Sequence, residues 1–243
     1  MPTEISPVVF KDSLANPAPL GLFGFGMTTI LLNLHNAGLY EMNSMILAMG
    51  LFYGGLAQVI AGILEYRKNN SFGMTAFISY GFFWLTLVGL IFMAKWGWIA
   101  PTPGNALVAY LVLWGLFTLL LFFGTLRINV ALQLVFGTLT VLFFMLAIGD
   151  ATGNASITRL AGFEGILCGA LAMYTGIANL LNEVYGYTVL PLGPVRKSAG
   201  ENGAVQKLPH QVLSLSNGEG WGRLVKFALW SVRQRRQKSQ KSW

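Results

Sequence analysis

Six runs of apolar residues, each close to the roughly 20 that carry a helix across about 30 Å of hydrocarbon, limit what this chain can become. They are Leu20 to Leu39, Met45 to Leu64, Phe72 to Ala94, Leu107 to Leu126, Val130 to Ile148 and Phe163 to Leu181. The breaks between them, YEMNS, EYRKNN, KWGWIAPTPGN, RIN and GDATGNASITRLAG, carry turn or charge chemistry. The RIN break is so short that its two spans must form an antiparallel hairpin. A soluble domain would shell its core with charge at about a quarter of its positions. Here 243 residues are 54% hydrophobic and only 10% charged. Lipid as outer solvent removes the need for the shell, so the expected fold class is an all-α membrane protein with six transmembrane helices.

Basic residues in short loops stay on the cytoplasmic side. With the N-terminus inside, Lys11, Arg67, Lys68, Arg127, Arg196 and Lys197 are internal, and Lys95 and Arg159 are external. The bias predicts both termini in the cytoplasm, which an even number of spans allows. Residues before Leu20 hold no apolar stretch of signal-peptide type, so the first span is expected to remain. The chain then divides into a cytoplasmic segment, 1–19, a six-helix transmembrane domain, 20–190, and a basic cytoplasmic tail, 191–243. The tail holds most of the positive balance, ten Lys and Arg against two acids. Within it, 221–237 can form an interfacial helix held by anionic lipid. A disordered, solubilising tail fits the composition equally well. Nucleic-acid binding is the weaker reading, because no fold motif accompanies the basic run.

Nothing in the chain argues for an enzyme, a cofactor or a metal. The one cysteine, Cys168, reads as a small packing residue, and His35 and His210 lack the paired spacing of zinc ligands. Small residues recur at helix spacing at Gly50, Gly54, Ala57 and Ala61, and at Ala161, Gly165 and Gly169. In lipid, such faces pack against protein.

The stretch LANPAPLGLFGFGMTTILLNLHN concentrates the functional signal. Asn16 suits a helix cap, and Pro17 and Pro19 fit a first turn that needs no amide donors. A polarised helix start near the membrane face favours a carboxylate; a well-capped helix without a ligand is the plainer reading. Phe25, Thr29, Asn33 and Asn36 advance by four, four and three residues and share a stripe. Polar groups facing hydrocarbon are costly, so the stripe should face a pore or a neighbouring helix. Gln58, Tyr80, Thr86, Thr118, Gln133, Thr138 and Asn179 place similar groups in other spans, and no Lys or Arg lies mid-span.

The segments NPAPLGL, FGFGMTTILLNLHN, ILAMGLFYGGLAQ, AGILEY, SFGMTAFISYGFFW, LWGLFTL and NEVYGYTVLP resemble the acetate uptake transporter family from about Leu14 to Pro191. RINVALQLVFGTLTVLF matches more loosely, and the tail is longer than expected for the bacterial members. The resemblance implies six helices around a pore in each protomer, a homo-hexamer in the cell membrane, and passage of acetate and succinate. It also implies a narrow apolar constriction at Phe25, Tyr80 and Leu139. Asn16, Pro17, Ala18, Pro19, Leu20, Gly21 and Leu22 then form the entry motif, and Thr29, Asn33, Asn36 and Gln58 line the path. An apolar ring favours small acids that shed water or take up a proton, so low external pH should stimulate uptake. Two rival readings are a channel for a small neutral solute such as urea, and a membrane sensor or scaffold whose basic tail binds a partner.

Overall fold

The structure, a computed structural model, describes residues 14–195; the tail and its interfacial helix lie outside the described residues. Among the described residues, six helices are long and apolar enough to cross a membrane: α1 Ala18–Asn36, α2 Ser44–Arg67, α3 Ser71–Lys95, α4 Gly104–Thr125, α5 Val130–Thr152 and α6 Ala155–Tyr185. Four starts are capped by asparagine side chains, whose oxygens accept early amide protons. Asn43 bonds Met45 N, Asn70 bonds Gly73 N, Asn129 bonds Leu132 N and Asn154 bonds Ser156 N. Gly153 and Gly186 end α5 and α6 in the left-handed conformation, at φ 63° and 73°.

Two elements depart from the hydropathy pattern. The sixth helix begins at Ala155, eight positions before the expected Phe163, because a capped first turn can hold Ser156, Thr158 and Arg159 in helical form at the membrane face. The middle of α2, Met49–Ala57, winds as a π-helix. Its Gly50 and Gly54 admit the indole of Trp84 from α3, and a Cβ at Gly54 would stand 2.9 Å from that ring.

The helices close into a ring. α1 packs on α2 and α6, α2 on α3, and α4 on α5, which continues to α6. The α3–α4 seam is closed by aromatic side chains, with Phe83 stacked on Tyr110 at 5.8 Å. Antiparallel α4 and α5 form the hairpin that the short RIN break requires. The chain following α6 returns to this hairpin, where Val130 N donates to Gly193 O at 2.9 Å and Ala131 N to Leu192 O at 3.1 Å. Those bonds satisfy amides that a helix start leaves open. The small-residue faces meet protein: Gly165 lies under Asn33, and Gly169 under Ile30 of α1. Outward-facing Phe52, Ile60, Leu113, Leu120, Phe163 and Leu167 are exposed, as hydrocarbon solvent permits.

Candidate transport pathway

Phe25 of α1, Tyr80 of α3 and Leu139 of α5 are buried members of one apolar cluster, contributed by alternate helices of the ring. The Phe25 and Tyr80 rings lie 5.9 Å apart, tilted by 56°. Tyr80 is also 6.0 Å from each of Trp114, Phe117 and Phe136. Its hydroxyl donates to Thr118 Oγ1 at 2.8 Å. The ring is therefore tethered to α4, and its one polar atom is already engaged.

Glycines fix where Phe25 can sit. A Cβ at Gly24 would stand 2.6 Å from Tyr53 O of α2, and one at Gly26 would stand 2.8 Å from Gly169 O of α6. Backbones this close hold α1 between its neighbours and leave Phe25 on the remaining face. This accounts for the glycines in a run that otherwise reads as a simple span.

The polar residues of the sequence stripe divide. Thr29 and Gln58 are buried, and Thr29 Oγ1 and Gln58 Oε1 have no hydrogen-bond partner among the described residues. Buried polar atoms without partners are costly, and each requires a reason to persist. Asn33 is occupied otherwise: its Nδ2 donates to Thr29 O at 2.9 Å, its Oδ1 accepts from Asn36 Nδ2 at 3.0 Å, and its side chain lies over Gly165. Asn36 lines an open vestibule of about 680 Å³ at the C-terminal end of α1, with His35, Asp150, Ser156, Thr158 and Arg159.

At the other end of α1, Asn16 Oδ1 accepts from Ala18 N at 3.1 Å. The helix begins at Ala18, Pro19 stands at its second position, and Pro17, Pro19, Gly21 and Leu22 are buried. Ala18 and Leu20 pack against the central cluster. Asn16 and Asn36 thus mark opposite ends of one helix, with Phe25 about 10 Å from its start at 1.5 Å per residue.

Sequence reasoning passed over the walls of this site. Trp114, Phe117 and Phe136 were ordinary apolar positions in their spans. Asp150 and Arg159 read as loop residues, although Asn154 between them is a visible cap signal. Glu164 is the sole mid-span carboxylate, and both of its oxygens are buried without a partner among the described residues.

A family profile described as the GPR1/FUN34/yaaH family matches residues 2–197. The chain belongs to the GPR1/FUN34/yaaH family. Among relatives within it, the succinate-acetate/proton symporter SatP of Escherichia coli (strain K12) is 59% identical over 183 residues, 75% of this chain and 97% of that protein. Ammonia transport outward protein 2 of Saccharomyces cerevisiae (strain ATCC 204508 / S288c) is 36% identical over 184 residues, 72% of this chain and 65% of that protein. The solved structure of the bacterial acetate channel SatP superposes with a TM-score of 0.74 at 58% identity, covering 74% of this chain and all of that one. With six spanning helices and this kinship, the chain is a multi-pass protein of the cell membrane. The GPR1/FUN34/yaaH match includes every described helix, so the Phe25–Tyr80–Leu139 cluster and the vestibule lie within the matched region.

Proposed function

We propose that this protein carries acetate and related small carboxylates, succinate among them, across the cell membrane. The observation that carries the reading is 59% identity along 97% of a succinate-acetate/proton symporter. Phe25, Tyr80 and Leu139 form the constriction in this reading. NPAPLGL, the family motif from Asn16 to Leu22, is the cytoplasmic mouth and the vestibule at the other end of α1 is the outer one, while Thr29, Gln58, Asn33 and Asn36 supply polar contacts or hold the lining in place. The protein performs no covalent chemistry on its cargo. Both termini lie in the cytoplasm, the basic residues 191–243 form a cytoplasmic tail, and the protomers assemble as a homo-hexamer with one path each.

A carboxylate stripped of water without a partner is costly, so a narrow apolar throat couples passage to proton uptake. Radiolabelled acetate uptake into proteoliposomes holding the purified full chain tests this. Uptake above protein-free vesicles, competed by unlabelled acetate and succinate, not by urea, and faster with an acidic exterior, is the expected result. No acetate uptake above that background sinks it and leaves the sensor or scaffold reading. The kinship with the yeast ammonia transport outward protein supports a second reading, passage of ammonia. Labelled methylammonium uptake that acetate does not compete would favour it.

A further inference from the structure

Within the six membrane helices, Glu65, Arg67, Lys95, Asp150, Arg159 and Glu183 all stand within five residues of a helix end. Glu164 alone lies deeper, about 13 Å from the start of α6 at 1.5 Å per residue. Both carboxylate oxygens are screened from solvent and have no hydrogen-bond partner among the described residues. Intramembrane acids are rare because they are costly, and where they persist they mark ion and proton paths.

The depth of Glu164 follows from the packing of α5 on α6. Gly149 of α5 abuts Thr158, and the Cys168 thiol lies 3.7 Å from Val135 O. That antiparallel register sets Glu164 opposite residues 139–143, within a turn of Leu139. Arg159, in the vestibule wall, precedes Glu164 by about 7.5 Å along the axis. Cys168, one turn beyond, belongs to the apolar cluster that contains Phe25, Tyr80 and Leu139. Along α6, Glu164 therefore stands between Arg159 of the vestibule wall and Cys168 of the apolar cluster.

Among the described residues, its surroundings supply no counter-charge. α5 has no ionisable side chain from Val130 to Gly149, and the only one on α1 is His35 at the vestibule end. On α6 itself the nearest ionisable neighbours are Arg159 toward the vestibule and the Cys168 thiol toward the throat.

We propose that Glu164 is the proton-binding group that couples carboxylate passage to proton movement. One oxygen of the ionised carboxylate takes a proton from water on the side of higher proton activity. It releases that proton to water on the other side, while acetate crosses as its anion. The O–H bond formed on Glu164 replaces one broken in a hydronium ion on the first side, and on release it breaks as a hydronium O–H forms on the other; no other bond changes. The inference rests on the acetate-transport reading, and its rival is acetate carrying its own proton as acetic acid.

Initial rates of labelled acetate uptake into proteoliposomes, above protein-free vesicles, decide it when a potassium diffusion potential is imposed. Wild type, moving proton and anion together, should ignore an inside-negative potential. Glu164→Gln should carry an uncompensated anion and slow by up to about tenfold for roughly 60 mV, the weight of one elementary charge. Glu164→Asp should restore indifference to voltage. If Glu164→Gln is inactive while Glu164→Asp is active and voltage-indifferent, the ionisable group is again required. Voltage-indifferent uptake by Glu164→Gln, or inactivity of both variants, overturns the assignment. Absence of uptake by wild type would instead bring down the transport reading itself.

Discussion

The Tyr80 hydroxyl donates to Thr118 Oγ1 at 2.8 Å, and Thr118 donates in turn to the Trp114 carbonyl at 2.7 Å. A tyrosine can thus present an apolar ring to the throat while its polar atom is satisfied elsewhere. Removing the two partners should have unequal effects. In Thr118→Ala the phenol hydroxyl stays buried without an acceptor, at a cost of about 1–3 kcal/mol. In Tyr80→Phe the Thr118 hydroxyl keeps its carbonyl acceptor, and the loss should approach the ~0.6 kcal/mol average for hydrogen bonds between membrane helices. Thermal unfolding of both variants in detergent should therefore show the larger drop for Thr118→Ala. Equal drops would contradict this chain of bonds.

Truncating Phe25 separates a core residue from a throat residue. In a sealed core, Phe→Ala costs about 3–5 kcal/mol through lost burial and the cavity left behind. In a throat that opens to water and solute, the space is used, so the stability loss should be smaller. Phe25→Ala should then raise uptake of labelled lactate relative to acetate, because the wider opening admits the larger acid. An unchanged lactate-to-acetate ratio with a full core penalty would mark Phe25 as packing alone.

Hydropathy found all six spans because hydrocarbon thickness is a strong constraint that a few polar residues do not hide. It missed the first two turns of α6, where Ser156, Thr158 and Arg159 lower the local average although Asn154 caps a helix there. The π-helical stretch of α2 was invisible, since its glycines and apolar residues give no period that distinguishes π from α winding. At the throat, the stripe reached Phe25 from residue spacing alone, whereas Tyr80 and Leu139 came from the family resemblance. No local pattern announces that residues 25, 80 and 139 belong to one buried cluster, because that depends on how α1, α3 and α5 alternate around the ring. The division between Asn33 and Thr29 was equally hidden. It depends on Gly165 of another helix, which lets Asn33 lie against α6.

Glycine substitutions should discriminate between backbone and open-space contacts. A Cβ at Gly162 would collide with Ala37 N and stand 2.7 Å from Ala37 Cα, all of it main chain where α1 ends. Neither helix can yield without separating, so Gly162→Ala should lower stability by about 1–3 kcal/mol, the usual penalty for overpacking. Gly89 has nothing within 4 Å of a built Cβ. Gly89→Ala should be neutral or slightly stabilising, since alanine is the better helix former. Unfolding temperatures of the two variants side by side provide the check, and a tolerated Gly162→Ala would mean that α1 and α6 are less tightly apposed than described.

The vestibule makes a charge prediction whose sign can be worked out. Asp150 and Arg159 both line it, so an arriving carboxylate meets one repulsive and one attractive charge. Arg159 Nε also donates to Ala37 O at 3.1 Å, which fixes the base of the guanidinium beside the end of α1. In Arg159→Gln only the acid's charge remains, so acetate entry should slow at low ionic strength. Added salt should then relieve the repulsion, because the screening length shrinks from about 30 Å at 0.01 M to about 10 Å at 0.1 M. In Asp150→Asn the field reverses: entry should be faster than wild type in low salt and should decline as salt is added. Initial acetate uptake rates across that salt range, at fixed pH, measure both slopes. Parallel slopes for the two variants would mean that these charges do not act on the arriving anion.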